Sequence, residues 1–161
     1  MGRRHEKMKI DENVVYEERI SGFLIPEIHS MRIMDGDKPM VICTEESLFS
    51  VEPKKMVSYE LSKDGLARIK ELIGNAKYLF SKAPLEESGY AVLDGCNEQY
   101  FFRSGSKETF IEKDNFSIEY SEISKDTKAG EILSIVDSIY MILKEHDIKV
   151  DDLDDDGEEL N

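Results

Sequence analysis

The chain of 161 residues contains no tryptophan, four prolines, three histidines and two cysteines. Each scarcity narrows the possibilities. No apolar run approaches the ~20 residues that a membrane-crossing helix requires, so no such helix is expected. Cys43 and Cys96 lie far apart, with no CxxC spacing and no adjacent histidine, which excludes a disulfide framework and the usual zinc and redox motifs. They read as small buried hydrophobes in a reducing cytosol, and a cytoplasmic location follows as the expectation. Nucleophilic catalysis of the Ser/His/Asp or Cys/His kind needs a histidine as general base. His5 lies in the terminal arm, and His146 closes an apolar helix whose negative terminus it complements. Only His29, in a strand-like segment, is placed to face a pocket, and no accompanying motif singles it out. Phosphate-binding glycine loops, HExxH and paired cysteines are all missing. No catalytic residue, metal or cofactor is therefore expected.

What the chain has in excess is negative charge. Thirty-five acidic against twenty-one basic residues give a formal net charge of -14. Half of it resides in the last eleven residues, Asp151 to Asn161, which hold seven acids. A field of this sign repels nucleic-acid phosphates and anionic lipid and attracts a basic protein partner at moderate ionic strength. Direct nucleic-acid and membrane binding are disfavoured, while a bland reading assigns the same charge to solubility alone. The basic N-terminus MGRRHEKMKI leads into no apolar segment and is not read as a secretory signal. Gly2 is followed at position 6 by Glu6 rather than the Ser or Thr of a myristoylation signal. The glycosylation-type triplet Asn115-Phe116-Ser117 carries no weight without secretion.

Patterning along the chain points to one α+β domain. Val14 to Ile20 reads as a strand. Glu27–Met34 and Met40–Thr44 flank Asp35-Gly36, the strongest short-range hairpin signal, because glycine supplies the positive φ of the turn. The acids of that turn read as turn chemistry. Glu45 to Pro53 reads as a polar connection with Leu48, Phe49 and Val51 embedded, or as a short extra strand or edge. Met56 to Leu61 alternates with a period of two, and Ser62 stands where a helix cap belongs. Leu66, Ile69, Leu72 and Ile73 then predict a helix over Lys63 to Ile73, with a continuation toward Phe80 that Ala83-Pro84 ends. An antiparallel meander is expected from Tyr90–Leu93, Glu98–Arg103, Thr109–Glu112 and Phe116–Ile123. Ser124 to Gly130 links it to the most apolar helix of the chain, Glu131 to His146, where Ile132, Ile135, Val136, Ile139 and Leu143 form the buried stripe. The expected architecture is a twisted, mainly antiparallel sheet of about five to seven strands with two helices on one face. Residues 1–13 form a basic arm, 14–150 the domain and 151–161 an acidic tail.

Adjacent acids such as Glu17-Glu18, Glu45-Glu46 and Glu86-Glu87 point opposite ways in extended backbone, so no pair is a catalytic dyad by itself. Asp152-Leu153-Asp154-Asp155-Asp156-Gly157 resembles the opening of an EF-hand calcium loop. The twelfth position, a bidentate glutamate in that motif, would fall beyond Asn161, so the tail reads as a disordered acidic segment, with a weak divalent-cation site as the alternative. The leading expectation is a non-catalytic acidic binding protein, such as an inhibitor, immunity factor or nucleic-acid mimic, that occupies a basic partner. Its contact residues are Glu45, Glu46, Glu86, Glu87, Asp151, Asp152, Asp154, Asp155 and Asp156. The alternatives are a structural or assembly module of a bacterial or phage system, and an enzyme of unrecognised type with a pocket near His29 or Arg103.

Overall fold

The computed structural model describes residues 10–22, 27–47, 55–88 and 95–150. Six strands form one open antiparallel sheet: β1 (Val14–Gly22), β2 (Glu27–Met34), β3 (Met40–Ser47), β4 (Lys55–Glu60), β5 (Cys96–Ser104) and β6 (Lys107–Asp114), in the spatial order β4-β3-β2-β1-β5-β6. Helices α1 (Lys63–Gly74) and α3 (Lys128–Glu145) pack on one face of it, and α2 (Phe116–Glu119) is a single turn. The expected α+β class, with both long helices on one face, is what the chain forms. No helix among the described residues is long and apolar enough to cross a membrane.

Local chemistry explains most of the boundaries. Gly36 adopts φ +143 in the β2–β3 turn, and Asp35 Oδ1 accepts from its amide at 2.7 Å. The Ser62 hydroxyl accepts from Gly65 N at 2.9 Å and starts α1. The helix stops at Gly74, and Asn75 returns its amide to the carbonyls of Glu71 and Ile73. The predicted continuation toward Phe80 does not form. Instead Glu131 accepts from the amides of Lys77, Tyr78 and Leu79, each at 2.8 Å, and this holds a non-helical segment that buries Leu79. Helix α3 begins earlier than expected, capped by Thr127, whose hydroxyl accepts from Gly130 N at 3.1 Å. At its other end a ring nitrogen of His146 lies 2.8 Å from the Ile142 carbonyl, one of the orphan acceptors of the last turn.

Two corrections concern strands. The segment Phe116–Ile123 is not a strand but a helical turn followed by turns. Alternation would have put Phe116, Ile118 and Tyr120 on one face. The chain instead buries Phe116 and Tyr120 at helical spacing, with ring centroids 5.2 Å apart, and leaves Ile118 46% exposed. Asn115 sets this up in a left-handed conformation, φ 57, with its side chain accepting from Cys96 N at 2.9 Å. The second correction is that Glu45 and Glu46 belong to β3 rather than to a connection. Residues 48–54 and the predicted strand at 90–93 lie outside the described residues.

The main core lies between sheet and helices. Tyr16, Met31, Ile33, Val41, Cys43, Tyr100, Phe102 and Ile111 meet Leu66, Ile69 and Ile73 of α1 and Ile132, Ile135, Ile139 and Leu143 of α3. Each fully buried aliphatic side chain contributes about 1.5–3 kcal/mol relative to exposure, so the stripe read in α3 is a principal source of stability. The opposite sheet face carries only a small cluster, Val14 and Phe101 with Ile10, Met34 and Phe110 around them. Ile10 and the carbonyls of Asp11 and Glu12, which Arg103 binds at 2.8 and 2.9 Å, fasten residues 10–12 to the domain.

Candidate functional site at the polar end of the sheet

On the helix-facing side, strand register converts sequence into rows. One row across the sheet reads Val57, Cys43, Met31, Glu18, Tyr100, Ile111. The next, two residues along each strand, reads Lys55, Glu45, His29, Ile20, Glu98, Lys113. The surface thus passes from apolar beneath the helices to charged at one end.

Two buried carboxyl groups stand at the boundary. Glu18 accepts from the Tyr16 hydroxyl at 2.6 Å and from the hydroxyl of Tyr140 on α3. Glu98, 2% exposed, accepts from the Tyr100 hydroxyl at 2.6 Å and from the amide and hydroxyl of Ser117 at 2.9 and 3.0 Å. Burial first, then the neighbouring carboxylates, push the Tyr16 and Tyr100 hydroxyls well above their ordinary range, so both remain protonated donors. Burial and Glu98 also raise the Cys96 thiol to about 11. Its sulfur stays a thiol, 3.8 Å from Glu98, and lacks the thiolate character of a nucleophile. These groups satisfy one another and tie α2 and α3 to the sheet; their chemistry is structural.

Beyond them, His29 faces Glu45 directly across the β2–β3 pair, and Glu27 lies two residues before it on the same face. The His29 Nε2 is 3.4 Å from a Glu27 carboxylate oxygen. One ligand-type atom from each of Glu27, His29 and Glu45 lies within 4.8 Å of the other two. The Glu45 Oε2 is closed to solvent and, among the described residues, meets no hydrogen-bond partner.

The remaining predicted site residues are dispersed. Glu46 is exposed on the opposite sheet face. Glu86 faces the start of α3, where it accepts from Lys128 N at 2.9 Å and Ala129 N at 3.0 Å. Burial raises its pKa, but those two amides, its own amide and the Lys128 charge together outweigh it and hold the carboxyl below its usual range. Glu87 beside it is exposed. Asp151, Asp152, Asp154, Asp155 and Asp156 lie outside the described residues. Arg103 lines a hollow of about 640 Å³ with Lys70 and Asp35. Its guanidinium donates to the carbonyls of Asp11, Glu12 and Val14 and to Glu108, while Lys70 pairs with Asp35 at 2.8 Å. The two cations of that hollow are thus engaged with the protein itself. A second hollow, about 420 Å³ between α1 and α3, is bridged by Arg68 and Glu145 at 2.6 Å.

Glu18 and Glu98 were not singled out as site residues by sequence reasoning. A signal was present: a tyrosine and a glutamate two apart, Tyr16/Glu18 and Glu98/Tyr100, share a strand face and can hydrogen-bond along it. Comparison with family models, with curated proteins and with solved structures found no match. The functional reading therefore rests on sequence and geometry.

Proposed function

We propose that the protein is a non-catalytic acidic binding protein that occupies a basic protein partner, in the manner of an inhibitor, immunity factor or nucleic-acid mimic. The observation that carries this reading is the charge balance of the sheet face opposite the helices. Strand alternation puts Glu17, Glu46, Glu60, Glu108, Glu112 and Asp114 there, against Arg19, Arg32 and Arg103. Two of these arginines are already neutralised within the fold: Arg32 by Glu17 at 2.6 Å, and Arg103 by Glu108 at 3.2 Å and three backbone carbonyls. The field left over is negative, and among the described residues no helix covers this face. Such a face speeds encounter with a cationic surface and blocks it, with Phe110 and Met34 offering apolar contact beside the acids.

The test is capture of a basic protein by the full chain at low and high ionic strength, repeated with the Glu46→Lys/Glu60→Lys double variant. Capture that weakens with salt and is lost in the variant supports the reading. Capture indifferent to both overturns it.

A second reading is favoured by one observation. Among the described residues, strand β4 ends the sheet, and Met56 is 65% exposed on the same face. An open edge of this kind suits an assembly module whose strands add to one another. Sedimentation that shows no dependence on concentration, for wild type and Met56→Lys alike, removes self-association.

A further inference from the structure

We propose that Glu27, His29 and Glu45 form a binding site for a divalent transition cation of the zinc type. Two observations carry this. The first is convergence: hydrogen-bonding register, rather than flexible loops, sets His29 opposite Glu45 and Glu27 two residues away on the same face, and one donor atom from each falls within 4.8 Å of the others. Tetrahedral ligand atoms about 2.0–2.2 Å from a cation stand about 3.3–3.6 Å apart. His29 and Glu27 already have that spacing at 3.4 Å, and a small side-chain adjustment on metal binding brings the Glu45 carboxylate into range. The second is the state of Glu45. Its Oε2 is shut off from solvent and accepts no hydrogen bond, an arrangement that a buried carboxylate oxygen avoids because desolvation is left uncompensated. A cation between the three side chains supplies the missing partner.

The donor set selects the metal. One imidazole and two carboxylates suit a borderline ion, whereas magnesium and calcium prefer oxygen donors alone. His29 and Glu27 keep about a third or more of their side-chain surface exposed, 34% and 42%, so an ion has an entry path and room for water in its remaining positions. Lys55, across from Glu45 on β4, is a positive charge on the same row, which tempers affinity. This site is distinct from the acidic tail, whose carboxylates offer oxygen only.

The experiment is calorimetric titration of the full chain with zinc chloride, alongside imidazole nitrogen resonances of His29 recorded as zinc is added. The expected result is binding that shifts the His29 resonances, survives excess magnesium, and weakens roughly tenfold or more in both Glu45→Gln and His29→Ala. Glu45→Gln keeps the side-chain shape, and circular dichroism confirms its fold. The wild-type resonances need no variant at all. Zinc that binds while His29 stays unmoved is held by the tail and overturns the proposal. So does a Glu45→Gln protein that binds as wild type does, or a wild type that binds no zinc.

Discussion

Replacing Glu98 by glutamine preserves shape and removes only charge and one acceptor. In the wild type three strong donors converge on this side chain, from Tyr100 at 2.6 Å and from the Ser117 amide and hydroxyl at 2.9 and 3.0 Å, with the weakly donating Cys96 thiol 3.8 Å away. A carboxylate accepts all three. A glutamine presents a single oxygen, so one side of the site meets an NH2 group where an acceptor was, and the charge assistance of every bond is lost. A charge-assisted bond is worth about 1.5–3 kcal/mol against about 1 for a neutral one. Three bonds weakened by about 1 kcal/mol each, offset in part by the cheaper burial of an amide, leave a net destabilisation of about 2 kcal/mol. In a domain of this size that lowers the melting temperature by roughly 4–8 °C. Tyr100→Phe, which removes one donor and leaves two, costs about 1 kcal/mol. The double variant should fall short of the sum, since both changes act on one bond. Urea unfolding of the four proteins measures the cycle. A Glu98→Gln protein within about 0.5 kcal/mol of wild type, or more stable than it, would refute the reasoning. It would mean that the burial cost of the carboxylate cancels its bonds.

Three further predictions concern the caps and one close contact. Ser62→Ala removes the acceptor for Gly65 N and costs about 1 kcal/mol by chemical denaturation. Gly130→Ala would place its Cβ 2.0 Å from the Ser124 carbonyl oxygen, backbone that cannot swing away. It should destabilise by about 2 kcal/mol or more, and a melting temperature equal to wild type would show that the α3 start relaxes freely. Glu86 has a folded pKa below its ordinary value of 4.5, so its cap of α3 is fully present above that pH and is lost as pH falls through the folded value. Glu86→Gln should therefore lower stability by about 0.5–1 kcal/mol at pH 7 and flatten the acid limb of the stability–pH curve. An unchanged acid limb counts against the cap.

Much of the fold was legible because its signals are local. Apolar runs marked β1 to β3, alternation marked β4, Asp35-Gly36 marked the hairpin, Ser62 marked the start of α1, and the stripe from Ile132 to Leu143 marked α3. Each depends on neighbours within one turn or one strand pair. Alternation failed at Phe116–Ile123, because Phe116-x-Ile118-x-Tyr120 satisfies a strand pattern while Phe116 and Tyr120 also satisfy a helical one. The left-handed Asn115 and the Glu98 carboxylate that receives Ser117 N decided between them, and Glu98 lies nineteen residues away.

The sequence by itself determined the class of the fold, the two helices and the acidity, since periodicity and charge are properties of short segments and of composition. It also determined that Glu17-Glu18 and Glu45-Glu46 separate, because extended backbone turns neighbours to opposite faces. Only the tertiary structure decided what each freed side chain meets. Insertion of β1 between β2 and β5 sets Glu18 and Glu98 on adjacent strands and lets Tyr140 of α3 reach Glu18, a contact spanning 122 residues. The pairing of β2 with β3 sets His29 against Glu45. Strand order and register arise from the packing of the whole core against two helices, and no single segment carries them.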